Sequence, residues 1–237
     1  MAGDAVFTLL DLSTPLTEAW GRAITQHITE AYRDNFSVVR SILADVAPPH
    51  DKFDCIVSPA NSYGRLDGGF DYFLAEALSP DDIDAPTHVA QAELYRRWKG
   101  FAPPGSRTLV PLKGSVCENN VHDCAYIALC PTMRVPEGVN WNREIVYNCV
   151  WSLLISLDHH NKVVEASGEG TKISRVLMPG LATGVGGVPP ERCAQQTALA
   201  IRDFIDACAN EEKWSSLKWE SAIAYAEDCR RTYRDIH

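Results

Sequence analysis

The stretch Asp54-Cys-Ile-Val-Ser-Pro-Ala-Asn61-Ser-Tyr-Gly64-Arg-Leu-Asp-Gly68-Gly69-Phe-Asp71 constrains the fold more than any other part of the chain. Its β-branched run, Cys55-Ile56-Val57, predicts a buried strand. A polar, glycine-rich loop follows, and an apolar segment with helical spacing begins at Phe70 and runs to Leu78. Strand, glycine loop and helix in that order suit a phosphorylated ligand. Glycine lets the backbone approach closely, and a helix start offers unpaired N–H groups to an anion. Asn61 and Asp71 stand on the two sides of the loop, placed to face one ligand.

A second unit of the same kind lies near the other end. Ile173 to Met178 reads as a buried strand, and Pro179-Gly-Leu-Ala-Thr183-Gly184-Val-Gly186-Gly187-Val-Pro189-Pro190 as a glycine loop. A helix starting at Pro189 or Pro190 then runs to about Ala209. The loop is not a dehydrogenase fingerprint, because Pro189 stands where a third glycine is expected. It is not a P-loop either, since no Lys-Ser/Thr follows. Each residue also has a plainer reading. Gly68 and Gly69 fit a tight turn, Asn61 a loop that bonds its own backbone, Asp71 a first-turn helix acid, and Gly184, Gly186 and Gly187 a flexible connection.

Between and around these units, apolar runs alternate with helical patterns. Strands are expected at Val6–Leu10, Phe36–Leu43, Thr108–Val110 and Ala125–Cys130. Helices are expected from Pro15 to about residue 32, over Val89–Trp98, Trp141–Leu157 and Glu220–Tyr233. Alternation of this kind predicts an α/β fold, a three-layer sandwich with a mixed, mostly parallel central sheet. Both loops then fall at the carboxyl ends of strands, where such sheets bind ligands. Residues 1–237 are read as one domain, with an extra N-terminal helix (about 15–32) and a divergent C-terminal helical segment.

A net charge of −9 argues against a duplex nucleic-acid partner whose affinity comes from neutralised phosphates. It leaves room for a nucleotide held by backbone amides. Met1-Ala-Gly-Asp shows no basic region before an apolar core, and no apolar run reaches about 18 residues, so neither a leader nor a membrane span is expected. The eight cysteines include Cys55, Cys130 and Cys149 inside apolar runs. They read as free thiols of an intracellular (cytoplasmic or nuclear) protein. No cofactor is expected.

The two loops together resemble the macro domain family, α/β/α proteins that bind ADP-ribose. The family's first loop typically reads Asn-Ala-Ala-Asn, then Gly-Gly-Gly-Val-Asp a few residues on. Ser58-Pro59-Ala60-Asn61 and Asp67-Gly68-Gly69-Phe70-Asp71 stand in those places, with the family's ten-residue step from Asn61 to Asp71. The family's second loop, Ser-Thr-Gly, Ile or Val, aromatic, Gly, is matched by Ala182-Thr183-Gly184-Val185-Gly186-Gly187. Ala44-Asp45-Val46 matches an upstream Gly-Asp-Ile, set two residues further from the loop. The Ser-Pro-Ala-Asn-Ser-Tyr-Gly form looks most like a divergent branch found in fungi and phages.

The resemblance implies that Asp45, with Val46 beside it, accepts from the adenine amino group. It implies that Ala182, Thr183, Gly184, Val185, Gly186 and Gly187 hold the diphosphate, and that Ala60, Gly68, Gly69 and Phe70 border the ligand. Asn61 then bonds the distal ribose hydroxyls, and Asp71 orients that ribose or positions an attacking water. The expected activity is removal of a group from the distal ribose, from ADP-ribose 1″-phosphate or a mono-ADP-ribosyl ester. A non-catalytic ADP-ribose binding module is the alternative. Gly186 replaces the aromatic that usually packs on the distal ribose, which leaves either Tyr63 as a substitute or a more open pocket. A third reading, another nucleotide-handling α/β enzyme, gains if Asp45 lies away from the pocket.

Cys117, His122 and Cys124 have the residue types of a zinc site but lack a fourth ligand, and no metal is expected. Cys193 has a helix-start setting that favours a thiolate, without a nearby histidine. Arg65, inside the first loop, reads first as an exposed side chain, with contact to a phosphate as the alternative.

Overall fold

The computed structural model describes residues 5–234; the N-terminal residues read above for a leader lie outside them. Strands β1 (Val6–Asp11), β2 (Phe36–Arg40), β3 (Cys55–Ser58), β4 (Thr108–Pro111), β5 (Tyr126–Leu129) and β6 (Arg175–Pro179) form one sheet in the order β2-β1-β6-β3-β5-β4. All neighbouring pairs are parallel except β4 and β5. The mixed, mostly parallel sheet expected from the alternation is therefore present.

Alternate residues of the central strands feed two separate cores. Cys55 and Val57 of β3 and Val176 and Met178 of β6 point into one, while Ile56 and Leu177 point into the other. That is the two-residue period of a strand covered on both faces. The first core is closed by helices α1 (Thr14–His27), α5 (Ile145–Ser167) and α6 (Pro190–Ala209), through Trp20, Leu153, Leu157 and Ala198. The second is closed by α3 (Phe70–Leu78) and α4 (Ala85–Trp98), through Leu74, Leu78 and Leu94.

Several boundaries differ from the sequence expectation, each for a local reason. The N-terminal helix stops at His27, where Ile28 turns extended (φ −93°, ψ 130°) and buries its side chain in the first core. Arg33, in the short helix α2 (Glu30–Arg33), donates to the carbonyls of Ile28 (2.8 Å) and Thr25 (2.6 Å), satisfying the end of α1. Strand β2 stops at Arg40 and the chain forms a 3-10 turn at Leu43–Asp45, which drives Leu43 into the second core. After α6 come α7 (Glu211–Trp214) and α8 (Trp219–Arg234). They are tied back by Asp206, which accepts from Lys213 Nζ (2.7 Å), Trp214 Nε1 (2.8 Å) and Tyr225 OH (2.6 Å). Those donors hold its carboxyl well below the usual range despite the opposing pull of partial burial. No helix among the described residues is long and apolar enough to cross a membrane.

Candidate functional site

The parallel strands β1, β6 and β3 end on one edge of the sheet, so the segments that follow them meet there. Between them lies a cavity of about 470 Å³, within the roughly 300–1,000 Å³ of small-molecule sites. Its wall takes Asp11, Ser13 and Leu16 from the end of β1 and the start of α1. Asn61, Arg65 and Asp67 to Asp71 come from the first loop, and Gly180 and Ala182 to Gly186 from the second. Met133 and Pro136 close the side beyond β5.

Asp71 stands on this wall as a buried acid. Gly69 (φ 59°, ψ −136°) makes the turn into α3, a positive-φ conformation that glycine adopts without a Cβ penalty. The turn sets Asp71 in the first turn of the helix, folded back over the end of β3. The residue is only 5% exposed, and Oδ1 accepts a 2.7 Å hydrogen bond from Ser58 Oγ. Burial pushes its carboxyl up to about 7, with Asp67 adding in the same direction and the Ser58 hydroxyl opposing. A carboxyl in that range exchanges protons near neutrality, as a general base must.

Two sets of backbone donors flank it. Among the described residues, no protein acceptor takes the amides of Gly68, Gly69, Phe70 and Asp71, at the start of α3. The same holds for Thr183, Gly184, Val185 and Gly186. The second loop is closed by Gly187 N–H donating to Gly184 O and Val188 N–H to Ala182 O, both at 3.0 Å. Its donors are loop amides: α6 begins at Pro190, preceded by Pro189, and neither has an N–H to offer.

Gly186 is required by close approach. A Cβ there would lie 2.6 Å from the carbonyl oxygen of Ala182 and 2.9 Å from its Cβ. No aromatic can stand at this position while the loop keeps its shape, and Tyr63 does not replace it. The Tyr63 ring packs beside Phe101 (5.8 Å between centroids), and its hydroxyl accepts from Arg134 Nε (3.1 Å). The aromatic on the cavity wall is Phe70.

Asn61 lines the cavity but spends its side chain on its own loop. Oδ1 accepts from the Tyr63 amide (3.0 Å) and the Arg65 amide (3.4 Å), and Nδ2 donates to the Arg65 carbonyl (2.8 Å). This is the plainer of its two sequence readings. Asn61→Ala is therefore expected to lower unfolding free energy by about 1–3 kcal/mol, read as a shift in urea midpoint. An unchanged midpoint would show that the brace contributes nothing. Arg65, also on the wall, is paired with Asp67 through Nε (2.7 Å).

Four residues expected in the site lie outside its wall. Asp45 is exposed on the 3-10 turn. Val46 and Ala60 are buried in the second core, and Gly187 (φ 69°) closes the turn of the second loop without lining the cavity. Asp45→Ala is accordingly expected to change ADP-ribose affinity less than about 3-fold by calorimetry, since a side chain outside the wall has little binding energy to lose. A loss beyond 10-fold would return Asp45 to the site. Asp11, Ser13, Leu16, Met133 and Gly180 were not anticipated. Their only sequence signal is position, at or shortly after the ends of strands whose order in the sheet the sequence does not state.

Cys193 is fully buried, and burial pushes its thiol up to about 12, so desolvation outweighs the helix start. His122 stacks on Phe53 and bonds the Asp51 carbonyl through Nδ1 (2.8 Å), while Cys124 Sγ bonds the Tyr126 carbonyl (3.2 Å).

A sheet sandwiched between helical layers, with two glycine loops and a buried acid at its carboxyl edge, defines an α/β/α nucleotide-type site. The chain belongs to the macro-like domain family, which matches residues 23–210. An uncharacterized protein of Thermotoga maritima is 26% identical over 170 residues, 71% of this chain and 24% of the relative, so the chain spans about a quarter of that protein's length.

Among solved structures, a mutant of the Oceanobacillus iheyensis macrodomain with ADPR is 19% identical (TM-score 0.46, covering 65% of this chain and 73% of that one). The same macrodomain with ADP is 20% identical (TM-score 0.45, covering 65% and 72%). The Trypanosoma brucei macrodomain is 16% identical (TM-score 0.42, covering 70% and 54%). ADPR and ADP are ligands of the Oceanobacillus protein.

Proposed function

We propose that the cavity binds ADP-ribose and that the protein hydrolyses a substituent from the distal ribose, with ADP-ribose 1″-phosphate or a mono-ADP-ribosyl ester as substrate. The observation that carries this reading is the buried, near-neutral carboxyl of Asp71 on a cavity wall between two sets of unpartnered amides. The amides of Thr183 to Gly186 take the diphosphate, whose charge they meet without any lysine. Asp71 in its carboxylate form accepts a proton from water as the water oxygen bonds to the reacting centre. The substituent leaves with its bonding electron pair, and loop amides hold the negative charge that develops.

One observation favours the alternative, a non-catalytic ADP-ribose binder. Both ends of the Asn61 amide are spent on the loop, so Asn61 has less to offer the distal ribose. Calorimetry with ADP-ribose, followed by phosphate release from the 1″-phosphate and release of ADP-ribose from an ester-linked peptide, separates the two. Binding without turnover of either substrate leaves the binder. No binding at millimolar ADP-ribose removes both.

A further inference from the structure

Besides Asp71 and the Arg65-paired Asp67, the wall holds a third carboxylate, Asp11, that neither the family motifs nor the proposed chemistry uses. Asp11 ends β1, which pairs with β6 on the side away from β3. Asp71 overlies the end of β3, so the two acids flank the second loop about two strand spacings apart, roughly 10 Å. Asp11 Oδ1 accepts the Ser13 amide at 2.8 Å, at the start of α1. Among the described residues, no protein donor meets Oδ2.

Gly180 fixes where that free oxygen sits. A Cβ on Gly180 would lie 3.2 Å from Asp11 Oδ2, 2.7 Å from Thr183 Oγ1 and 2.6 Å from Leu16 Cδ2. The missing side chain is therefore what lets the carboxylate lie against the exit of β6, next to the first residue of the amide cradle. A carboxylate this close to a diphosphate repels it unless a donor stands between them. On a nucleotide whose diphosphate rests at Thr183, the nearest donors are the hydroxyls of the ribose one bond chain away. The base amino group lies a further ring out.

We propose that Asp11 binds the vicinal hydroxyls of the adenosine ribose and excludes ligands phosphorylated at its 2′ position; this rests on the ADP-ribose reading above. The ionised carboxylate accepts from both hydroxyls in charge-assisted hydrogen bonds. A 2′-phosphate would remove one donor and put like charges together. Acidic residues after strands of dinucleotide-binding sheets discriminate by the same chemistry.

The test is calorimetry on the full chain with ADP-ribose, ADP-ribose 2′-phosphate, ADP and 2′-deoxy-ADP. The native protein is expected to bind ADP-ribose at least about 10-fold more tightly than its 2′-phosphate, and ADP more tightly than 2′-deoxy-ADP by a similar factor. Asp11→Asn keeps an oxygen for the Ser13 amide. It is expected to hold its unfolding midpoint, to lose about 10-fold or more in ADP-ribose affinity, and to narrow the 2′-phosphate discrimination. Equal binding of ADP-ribose and its 2′-phosphate by the native protein would overturn the proposal, as would an Asp11→Asn variant with native affinity. Should the variant unfold, the ligand series on the native protein decides alone. A native protein that binds none of the four overturns the ADP-ribose reading together with this one, whereas intact ADP-ribose binding without discrimination overturns only the role of Asp11.

Discussion

Asp71→Asn is expected to reduce turnover of the distal-ribose substrate by 10²- to 10⁴-fold, the usual contribution of a positioned general base, while ADP-ribose still binds. Asparagine keeps an oxygen for the Ser58 hydroxyl but cannot take a proton. In the native protein, kcat/KM is expected to rise with pH through about 7 and then level, because the proposed base is the carboxylate form of Asp71. That rise should vanish in the variant. A variant that turns over at the native rate, or a native profile flat from pH 5 to 8, would remove Asp71 from the chemistry.

The same buried acid makes stability depend on pH. Its pKa is raised in the fold from 3.8 to about 7, so the folded state prefers the protonated form. The favourable contribution is whole below about pH 4 and is lost as pH climbs through about 7. The difference between the limits is on the order of 4 kcal/mol. Asp71→Asn should flatten this component and be more stable than the native chain at pH 8, measured by urea unfolding. On the proposed mechanism, activity and stability would pull in opposite directions at this residue, as is common where a site stores an unfavourable group.

Gly186→Ala is expected to cost at least about 10-fold in ADP-ribose affinity and about 1–3 kcal/mol in stability, the range for forced overpacking. The new Cβ would meet the Ala182 carbonyl oxygen at 2.6 Å and the Ala182 Cα at 3.1 Å, which are backbone atoms without room to rotate away. That carbonyl accepts the Val188 amide, and the Gly186 carbonyl accepts the Val139 amide, both at 3.0 Å. Relief of the clash therefore pulls on two hydrogen bonds that shape the amide cradle. Ala182 is already held at φ 58°, outside the range most side chains prefer. Gly184→Ala makes a stability control, since nothing lies within 4 Å of its added Cβ. Native affinity in Gly186→Ala would show that the cradle is not where the ligand binds.

Much of the fold was legible because local signals agreed with one another. Phe70–Leu78 and Pro190–Ala209 form as helices where the sequence places them, since each has a glycine or proline at its start and an apolar face to bury. Cys55 to Val57 and the run ending at Met178 read as buried strands because both faces are covered. The break after His27 was not legible, since no glycine or proline marks it. Tertiary burial of Ile28 decides it instead. Asp45 carries the motif that the resemblance assigns to adenine, yet its side chain stands on an exposed turn. A motif specifies residue types in order, and the path of the connecting turn decides where they point.

By itself, the sequence determined that two strand–loop–helix units would present glycine-rich backbone at one edge of a parallel sheet. That follows from propensities and chain direction, which are local. It also determined that Asn61 and Asp71 would flank the first loop. Only the tertiary structure decided what each of them does. Burial raises Asp71 toward neutrality against the opposing hydrogen bond from Ser58, while Asn61 turns its amide into its own loop. Strand order was likewise a tertiary matter. Placing β1 beside β6 brings Asp11 to the cavity from 169 residues before Gly180. Desolvation and strand neighbours depend on what lies close in space, and a linear sequence does not carry those distances.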